Sequence, residues 1–351
     1  MAQARGARGD GASPGEPLLR TVGLTRHFRL GGLFSKQVLH AVDDFDLTIK
    51  EREIVALVGE SGSGKSTTAR LLARVYPPTR GEIYYRGRPL HKLRSRKDLL
   101  WYRGEVAMVF QDPFSAFNPV FRVSHGVMRN LALHRPELGR GERQREAARV
   151  SESVGLSPQM LRRFPYELSG GERQRVGFAQ ALAVRPKLVL ADEPVSMLDV
   201  SIRVGVLNMM ANLREQEGVS ILYITHDIAS ARYVADRIVV MYAGHLVEAG
   251  PTETILQEPK HPYTQLLLSA VADPRDKVVT SVSADSGEPP KVINPSEGCR
   301  FRWRCPLAIE KCAQVTPRPE PIGSSLVACH VAVAEARESA RSAGAASTTN
   351  R

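Results

Sequence analysis

The sequence predicts an α/β fold organised around a mainly parallel β-sheet, and two observations carry this prediction. Between about residues 18 and 258, runs rich in β-forming residues alternate with segments of helical pattern, which is typical of parallel strands joined by helices. The most apolar runs are only four or five residues long, at residues 188–191, 221–224 and 238–242. Such short, unbroken apolar runs suit strands that are buried on both faces of a sheet.

Length and composition place the chain among ordinary globular proteins. Its 351 residues suffice for one large domain with an appendage. The formal net charge of +11 fits a polyanionic ligand, an anionic membrane surface or simply an arginine-rich host proteome, so charge alone assigns no partner. No apolar run approaches the ~20 residues that span a bilayer, and the N-terminus lacks the apolar core of a signal peptide. We therefore expect a soluble, intracellular protein whose membrane role, if any, comes through a partner.

Composition also predicts the domain organisation. We expect a disordered tail, a large α/β domain, a small extension and a second tail, at residues 1–15, 16–258, 259–335 and 336–351. A charged, arginine- and glutamate-rich stretch inside the second segment predicts a helical subdomain at about 112–185. Residues 274–296 carry proline, glycine, serine and aspartate with little periodicity, which favours a linker or loop.

A glycine-rich loop, GESGSGKS at residues 59–66, carries the first chemical signal because it matches the GxxxxGK[ST] pattern. A strand-like run at 54–58 precedes it and a helical segment at 66–75 follows, the context that a phosphate loop requires. Glycines let backbone N–H groups turn toward a phosphate, and the helix N-terminus adds about half a positive charge. Lys65 is expected to reach the β- and γ-phosphates, and the Ser66 hydroxyl to bind Mg²⁺. The expected nucleotide contacts in this loop are Gly59, Glu60, Ser61, Gly62, Ser63, Gly64, Lys65, Ser66 and Thr67.

Two adjacent carboxylates, Asp192 and Glu193, follow the apolar run at 188–191. An aspartate at the C-terminal edge of a strand can hold the Mg²⁺ shell, and a neighbouring glutamate can polarise an attacking water. A solvated turn would contain the same pair, so these two residues alone do not decide between the readings.

Between these motifs, residues 168–175 read LSGGERQR. Ser169, Gly170 and Gly171 at a helix start form a second candidate anion-binding nest. The segment resembles the LSGGQ signature of the ATP-binding-cassette (ABC) family, with Glu172 in place of the usual glutamine. The resemblance implies a cassette that works as a dimer, in which this nest caps the γ-phosphate of ATP held on the partner's phosphate loop.

Further family motifs stand in the expected order. Gln111 resembles the glutamine that senses Mg²⁺ and contacts the transmembrane subunit, and Asp199, which ends the run SMLD, resembles the D-loop aspartate. His226 resembles the switch histidine that touches the γ-phosphate. Phe28 resembles the aromatic residue that stacks on adenine, although the neighbouring His27 is an alternative.

The resemblance implies ATP hydrolysis by in-line attack of water on the γ-phosphate, with ATP and Mg²⁺ bound at the phosphate loop. Glu193 is the implied general base. The remaining implied catalytic residues are Lys65, Gln111 and His226, and the implied magnesium site consists of Ser66, Gln111 and Asp192.

Two further runs resemble one group of the family, the oligopeptide, dipeptide and nickel importer ATPases. They are QDPFSAFNP at 111–119 and HPYT at 261–264, and the whole resemblance covers about residues 18–335. It implies a heterodimer with a second ATPase, two membrane permeases and an extracytoplasmic solute-binding protein, on the cytoplasmic face of the membrane and without nucleic acid.

The transported solute stays open at this point: peptides are the first expectation, and oligosaccharides and nickel are alternatives. A soluble cassette ATPase without a channel and a cassette exporter are the rival classes. The single cassette, the absence of long coiled-coil patterns and the HPYT extension count against them.

All four cysteines cluster near the C-terminus, at Cys299, Cys305, Cys312 and Cys329. In a reducing cytosol, such clustering in a short, proline-punctuated segment suggests a metal centre rather than disulfides. The spacing lacks the CxxC pairs of zinc ribbons, and resembling segments in several peptide-importer ATPases hold a [4Fe–4S] cluster, so the resemblance implies such a cluster; zinc and free buried thiols are alternatives. We expect the segment to lie away from the ATP, with a structural or a regulatory role. A regulatory role predicts that truncation after about residue 268 changes the control of hydrolysis but not hydrolysis itself.

Overall fold

The computed structural model describes residues 16–31, 35–112, 117–270 and 292–348. The predicted N-terminal tail at 1–15 and most of the predicted linker at 274–296 lie outside these ranges. The strands are β1 (Leu19–Arg29), β2 (Val38–Phe45), β3 (Thr48–Ile49), β4 (Ile54–Val58), β5 (Arg80–Tyr85), β6 (Arg88–Pro89), β7 (Val106–Val109), β8 (Leu188–Asp192), β9 (Ser220–Thr225), β10 (Arg237–Tyr242), β11 (His245–Pro251), β12 (Glu320–Ile322) and β13 (Ser325–Val327). The helices are α1 (Lys65–Leu72), α2 (Arg96–Glu105), α3 (Ser124–His134), α4 (Arg140–Ser153), α5 (Gly170–Leu182), α6 (Val200–Glu217), α7 (Ile228–Val234), α8 (Thr252–Gln257), α9 (Pro262–Ser269), α10 (Glu310–Gln314) and α11 (His330–Thr348).

The main sheet has the order β12-β13-β11-β10-β4-β9-β8-β7. Its five strands from β10 to β7 pair in parallel, and the three apolar runs predicted to be buried strands form β8, β9 and β10. Every residue of β4, β8 and β9 is buried, as expected for parallel strands covered on both faces. The α/β prediction is confirmed, and the parallel strands place their C-terminal ends along one edge.

A second, antiparallel sheet has the order β2-β1-β5-β6, with β3 also paired to β1. Its apolar side chains form one core cluster with one face of the main sheet, which includes Leu19, Phe45 and Tyr85. The other face of the main sheet packs on helices, and that cluster includes Phe178, Met210 and Tyr223. The phosphate loop after β4 therefore starts from a strand between two buried layers.

Three helices, α3, α4 and α5, lie within the predicted helical subdomain at 112–185. Val127, Leu131, Ala147 and Val150 on α3 and α4 are buried and belong to the same core cluster as Val176 and Phe178 of α5. Apolar residues on α3 and α5 recur at three- and four-residue intervals, whereas the rest of each helix is polar. The subdomain thus joins the main core through α5, the helix that begins at the LSGG run.

The C-terminal extension continues the main sheet. Strand β13 pairs with β11, with Glu248 opposite Val327, and β12 completes an antiparallel edge. The sequence predicts a tail from residue 336, but α11 extends from His330 to Thr348 through most of that stretch. The alanine-rich sequence of these residues favours helix without providing an extended apolar face. Within the described ranges, no helix is both long enough and apolar enough to cross a bilayer.

Candidate nucleotide-binding site

The loop between β4 and α1 is wedged so closely between its neighbours that only glycine fits at two positions. A Cβ atom on Gly59 would lie 2.1 Å from the Met241 carbonyl oxygen, and one on Gly64 would lie 2.3 Å from the Ala41 carbonyl oxygen. Gly64 also has φ of 106°, a backbone conformation that side chains rarely adopt. The glycines therefore hold the loop against β2 and β10, as a phosphate cradle requires.

Lys65 is almost completely buried at the start of α1. Its ammonium donates to the carbonyl oxygens of Gly59 at 2.6 Å and Glu60 at 2.9 Å. Burial lowers the pKa of Lys65, while the charges of Glu193, Asp192 and Glu60 oppose that shift. The buried Ser63 hydroxyl has no hydrogen-bond partner among the described residues. A buried cation and an orphaned hydroxyl inside a glycine cradle fit an anionic ligand that supplies acceptor oxygens.

Ser66 and Asp192 meet where α1 begins beside the end of β8. The Ser66 hydroxyl donates to Asp192 Oδ1 at 2.9 Å. Burial raises the pKa of Asp192, the hydrogen bond from Ser66 opposes this, and the charge of Glu193 raises the pKa further. Two adjacent oxygen donors, one of them a buried carboxylate, fit Mg²⁺, which prefers oxygen ligands and compensates such a charge.

Glu193 brings three of the predicted catalytic residues together. The Gln111 side-chain amide donates to Glu193 Oε2 at 2.9 Å, and His226 Nδ1 lies 3.4 Å from the same oxygen. The three residues follow the ends of β7, β8 and β9, so the parallel topology places them at one edge of the sheet. Glu193 also adopts φ of 45°, which is uncommon for a non-glycine residue and concentrates at functional sites.

A cavity of about 710 Å³ lies between the phosphate loop and the residues Gln111, Glu193 and His226. Its lining includes nine of the eighteen predicted nucleotide, magnesium and catalytic residues, namely Ser61, Gly62, Gly64, Lys65, Ser66, Thr67, Gln111, Glu193 and His226. The other nine do not line it: Gly59, Glu60, Ser63 and Asp192 belong to the phosphate loop or to strand β8, and Phe28, Ser169, Gly170, Gly171 and Asp199 lie in other parts of the chain.

The register of β1 on β2 separates the two candidates for an adenine contact. Phe28 lies opposite Leu39, and Leu39 lines the cavity. Residues directly opposite on paired strands share a face, so Phe28 is on the cavity side of the hairpin. His27 stacks on His40 with ring centres 3.7 Å apart and its Nε2 lies 2.6 Å from Asp43 Oδ1. The Phe28 ring also has neighbours, with the Arg26 guanidinium 4.6 Å from its centre, so the strand register alone favours Phe28.

The LSGG run begins α5 with a closed capping box. Ser169 Oγ accepts from the Glu172 N–H at 3.3 Å, and Glu172 Oε2 accepts from the Ser169 N–H at 2.8 Å. Backbone hydrogen bonding and the Ser169 hydroxyl lower the pKa of Glu172. A Cβ on Gly171 would lie 2.3 Å from the Ile202 side chain, so this glycine permits close packing on α6. Ser169 and Asp199 are both exposed, which leaves them available to a partner.

The four cysteines converge although they are distant in sequence. They are free thiols, and Cys312 and Cys329 are buried. Burial raises the pKa of Cys299 to about 11, and the charges of Cys312, Cys305 and Cys329 add to the effect. A tetrahedral zinc site with Zn–S bonds of about 2.3 Å needs sulfur atoms roughly 3.8 Å apart. No three of these described Sγ atoms lie within 4.8 Å of one another, so the thiols are not arranged as closely as in a zinc site.

The expectation that the cysteine segment lies away from the nucleotide site is wrong. Arg304, next to Cys305, forms two hydrogen bonds with Glu60 of the phosphate loop, at 2.8 and 3.0 Å. Tyr263 of the HPYT run accepts a hydrogen bond from the Glu60 N–H at 2.9 Å. The sequence identifies HPYT only as a marker of the importer group, and it carries no signal that relates residue 304 to residue 60.

A second arginine of the segment joins the β1–β2 hairpin. Arg300 donates to the carboxylate of Asp43, which also receives His40 Nδ1 at 2.7 Å and His27 Nε2. The atoms of His27, His40 and Asp43 lie within 4.8 Å of one another, the spacing of a candidate metal site. The guanidinium of Arg300 already balances the negative charge of the Asp43 carboxylate. We therefore describe His27, His40, Asp43 and Arg300 as an ion-pair network that joins the hairpin to the extension.

Two protein-family models match the chain. The model described as ABC transporter matches residues 42–196, and the model described as Oligopeptide/dipeptide transporter, C-terminal region, matches residues 247–312. The first match includes the phosphate loop, the LSGG run and the carboxylate pair. The second includes the HPYT run and three of the four cysteines.

Similar whole proteins and solved cassettes agree with these matches. A protein of Bacillus subtilis provisionally named oligopeptide transport ATP-binding protein YkfD is 39% identical over 323 residues, which cover 90% of this chain and 95% of the relative. A protein of Sinorhizobium fredii provisionally named peptide ABC transporter ATP-binding protein y4tS is 41% identical over 322 residues, 90% of each chain. The structure of the dimeric ATP-binding cassette MJ0796 in a post-hydrolysis state with ADP and Pi is 28% identical, with a TM-score of 0.60, and covers 67% of this chain and 98% of that one.

Proposed function

Because this chain belongs to the ABC transporter family and carries the oligopeptide/dipeptide transporter C-terminal region, we propose that it is the ATP-hydrolysing subunit of a peptide importer. The observation that carries the proposal is the meeting of Gln111 and His226 at the Glu193 carboxylate, beside the cradle that holds Lys65. Two relatives named for peptide or oligopeptide transport support the choice of solute class.

In the proposed reaction, Glu193 accepts a proton from the water that attacks the γ-phosphate of ATP. Gln111 and His226 hold its carboxylate in place, at 2.9 and 3.4 Å from Oε2. Lys65 gives up its carbonyl partners and neutralises charge on the phosphates. Ser66 and Asp192 would hold Mg²⁺, which supplies further charge neutralisation when bound.

The proposed active unit contains two cassettes. Ser169 lies outside the cavity and is exposed, so the start of α5 can face the ATP of a partner chain, and the capping hydrogen bonds between Ser169 and Glu172 hold it in shape. The solved dimeric cassette supports association of this kind. We propose a second, different ATPase subunit as the partner, two permeases on the membrane side, and an extracytoplasmic solute-binding protein. The chain would then lie at the cytoplasmic face of the membrane without crossing it.

The four cysteines are proposed to hold a [4Fe–4S] cluster. Their mutual proximity, seen in the effect of Cys305, Cys312 and Cys329 on the pKa of Cys299, supports a shared centre, and four thiol ligands suit such a cluster. Metal analysis and labile sulfide measurement on anaerobically purified protein test this proposal directly. About four irons and four sulfides per chain support it, whereas colourless protein without iron removes it.

The proposed transport role is tested by purifying the tagged chain from detergent-solubilised native membranes and identifying the proteins that accompany it. Two permeases and a second ATPase would support the importer. Recovery of the chain alone, or with ribosomes or DNA, would contradict the transport role while leaving ATP hydrolysis to be measured separately.

A further inference from the structure

The cysteine segment, residues 299–329, contacts the phosphate loop through one ion pair, between Arg304 and Glu60. The guanidinium of Arg304 forms a fork on the carboxylate of Glu60, with the two N–O distances at 2.8 and 3.0 Å. The side chains of Arg304 and Glu60 are 10% and 25% exposed. Bidentate arginine–carboxylate pairs are strong and fix geometry, and limited contact with water leaves this one weakly screened.

An aromatic cluster holds the arginine and the loop together. The Arg304 guanidinium lies 5.8 Å from the ring centre of Tyr242 and 5.9 Å from that of Phe301. Tyr263 packs on the same two rings at 4.5 and 5.4 Å, and its hydroxyl receives the Glu60 N–H. The extension therefore holds Glu60 at both its side chain and its backbone.

Glu60 in turn holds the groups that would meet a phosphate. Its carbonyl oxygen accepts from Lys65 Nζ at 2.9 Å and from the Ser63 N–H at 3.2 Å. A shift of Glu60 would therefore move the acceptor of the lysine ammonium and open the turn around Ser63. Glu60 is thus the single residue that connects Arg304 to the Lys65 ammonium and to the backbone turn at Ser63.

We propose that Arg304 is a positioning residue of the nucleotide site, which the folded cysteine segment presents to Glu60 so that the phosphate loop is preorganised for ATP. The inference rests on the proposed function, since it requires that this loop bind nucleotide. Through Glu60, the C-terminal extension would thus contribute to ATP binding in its own chain. Because Arg304 precedes Cys305 directly, loss of order at the cysteines would release the fork.

The test compares full-length Arg304→Gln, Arg304→Lys and a matched control, Arg302→Gln. Arg302 belongs to the same segment, bonds within it and stacks on Trp303 at 4.7 Å. The Kd of a fluorescent ATP analogue is measured without turnover, together with KM and kcat for ATP. We expect Arg304→Gln to raise Kd and KM by about 5- to 50-fold, the range of a modest coupling between sites. Its kcat should stay within about threefold, Arg304→Lys should restore part of the affinity because it keeps the charge, and Arg302→Gln should bind as the wild type does.

Glu60→Gln gives a second measurement that does not depend on how Arg304→Gln folds. Because both changes break the same fork, the double variant should lose little more affinity than either single one. Wild-type affinity in Glu60→Gln, or equal affinity in Arg304→Gln and Arg302→Gln, would overturn the inference while the nucleotide site stands. A wild-type chain that binds no nucleotide would instead contradict the proposed function.

Discussion

At the scale of single residues, the structure concentrates the chemistry on Glu193. This carboxylate receives Gln111 and faces His226 while its own backbone is in the left-handed region. The buried neighbour Asp192 is engaged with Ser66, so the two adjacent acids have different partners and different proposed tasks. Both could be recognised from sequence, because a carboxylate pair after an apolar run is a local pattern.

Glu193→Gln is predicted to abolish most turnover while leaving ATP binding intact. The amide keeps the size of the side chain but cannot accept a proton, and loss of a general base typically costs about 10²- to 10⁴-fold. Phosphate release measures turnover, and gel filtration with ATP shows whether an ATP-bound dimer accumulates. Turnover close to that of the wild type would remove the assignment of Glu193 as the base.

Gly64→Ala is predicted to lose nucleotide binding as well as stability. The added Cβ would meet the Ala41 carbonyl oxygen at 2.3 Å, so the loop or strand β2 must move. Gly218→Ala is the matched control, since Gly218 also has a positive φ, of 66°, but nothing lies within 4 Å of its Cβ position. The control should cost only the backbone strain of about 1–2 kcal/mol and keep ATP affinity. Thermal unfolding and nucleotide titration of both variants test the difference, and equal affinities would refute it.

At the scale of elements, the sequence predicts what local pattern and composition encode. The strands around residues 54–58, 188–191, 221–224 and 238–242 are present where expected, and three helices, α3, α4 and α5, lie within residues 112–185. Helix α11 was missed because its residues are rich in alanine and charge, a composition that tails share. The contact of Arg300 with the β1–β2 hairpin joins residues 257 positions apart in sequence, and no local pattern carries that information.

The acid sensitivity of the protein should depend in part on this hairpin contact. Burial alone would raise the pKa of Asp43, but hydrogen bonds from His27, His40 and Arg300 outweigh it and place the pKa below the ordinary 3.8. A carboxyl whose pKa falls on folding stabilises the protein above its unfolded pKa, and this stabilisation is lost as pH falls below about 4. Asp43→Asn should therefore lower the free energy of unfolding by about 1–3 kcal/mol at pH 7, as for a buried group that loses its partner, and by less at pH 3.

Denaturant unfolding between pH 7 and pH 3 measures this effect. Asp44→Asn is the control, since Asp44 is the exposed neighbour on the same strand, and it should leave the pH dependence of unfolding close to that of the wild type. If Asp43→Asn and the wild type lose stability in parallel as pH falls, the Asp43 network does not contribute in the way proposed.

At the scale of the whole molecule, the extension and the cassette form one structure. Strand β13 extends the main sheet through β11, and Arg300 and Arg304 connect the cysteine segment to the hairpin and to the phosphate loop. A purely regulatory extension predicts that truncation after about residue 268 alters only the control of hydrolysis. Since truncation would also delete the partner of Glu60, we expect ATP binding itself to weaken in the truncated protein.

If the cysteine segment supports the phosphate loop, bound ATP must in turn stabilise the cysteine segment, because coupling between two sites is reciprocal. ATP should therefore slow the reaction of the four cysteine thiols with a thiol reagent. The prediction is tested on metal-free, reduced full-length protein by timing the reaction of its four thiols with a chromogenic disulfide. Ligand at 100 times its Kd stabilises the bound state by about 2.7 kcal/mol, which limits the slowing to about 100-fold. We expect at least a severalfold slowing for the buried Cys312 and Cys329. Lys65→Ala, which loses the ammonium that faces the phosphates, should show no protection, and equal rates with and without ATP in the wild type would mean that the extension and the phosphate loop are not coupled.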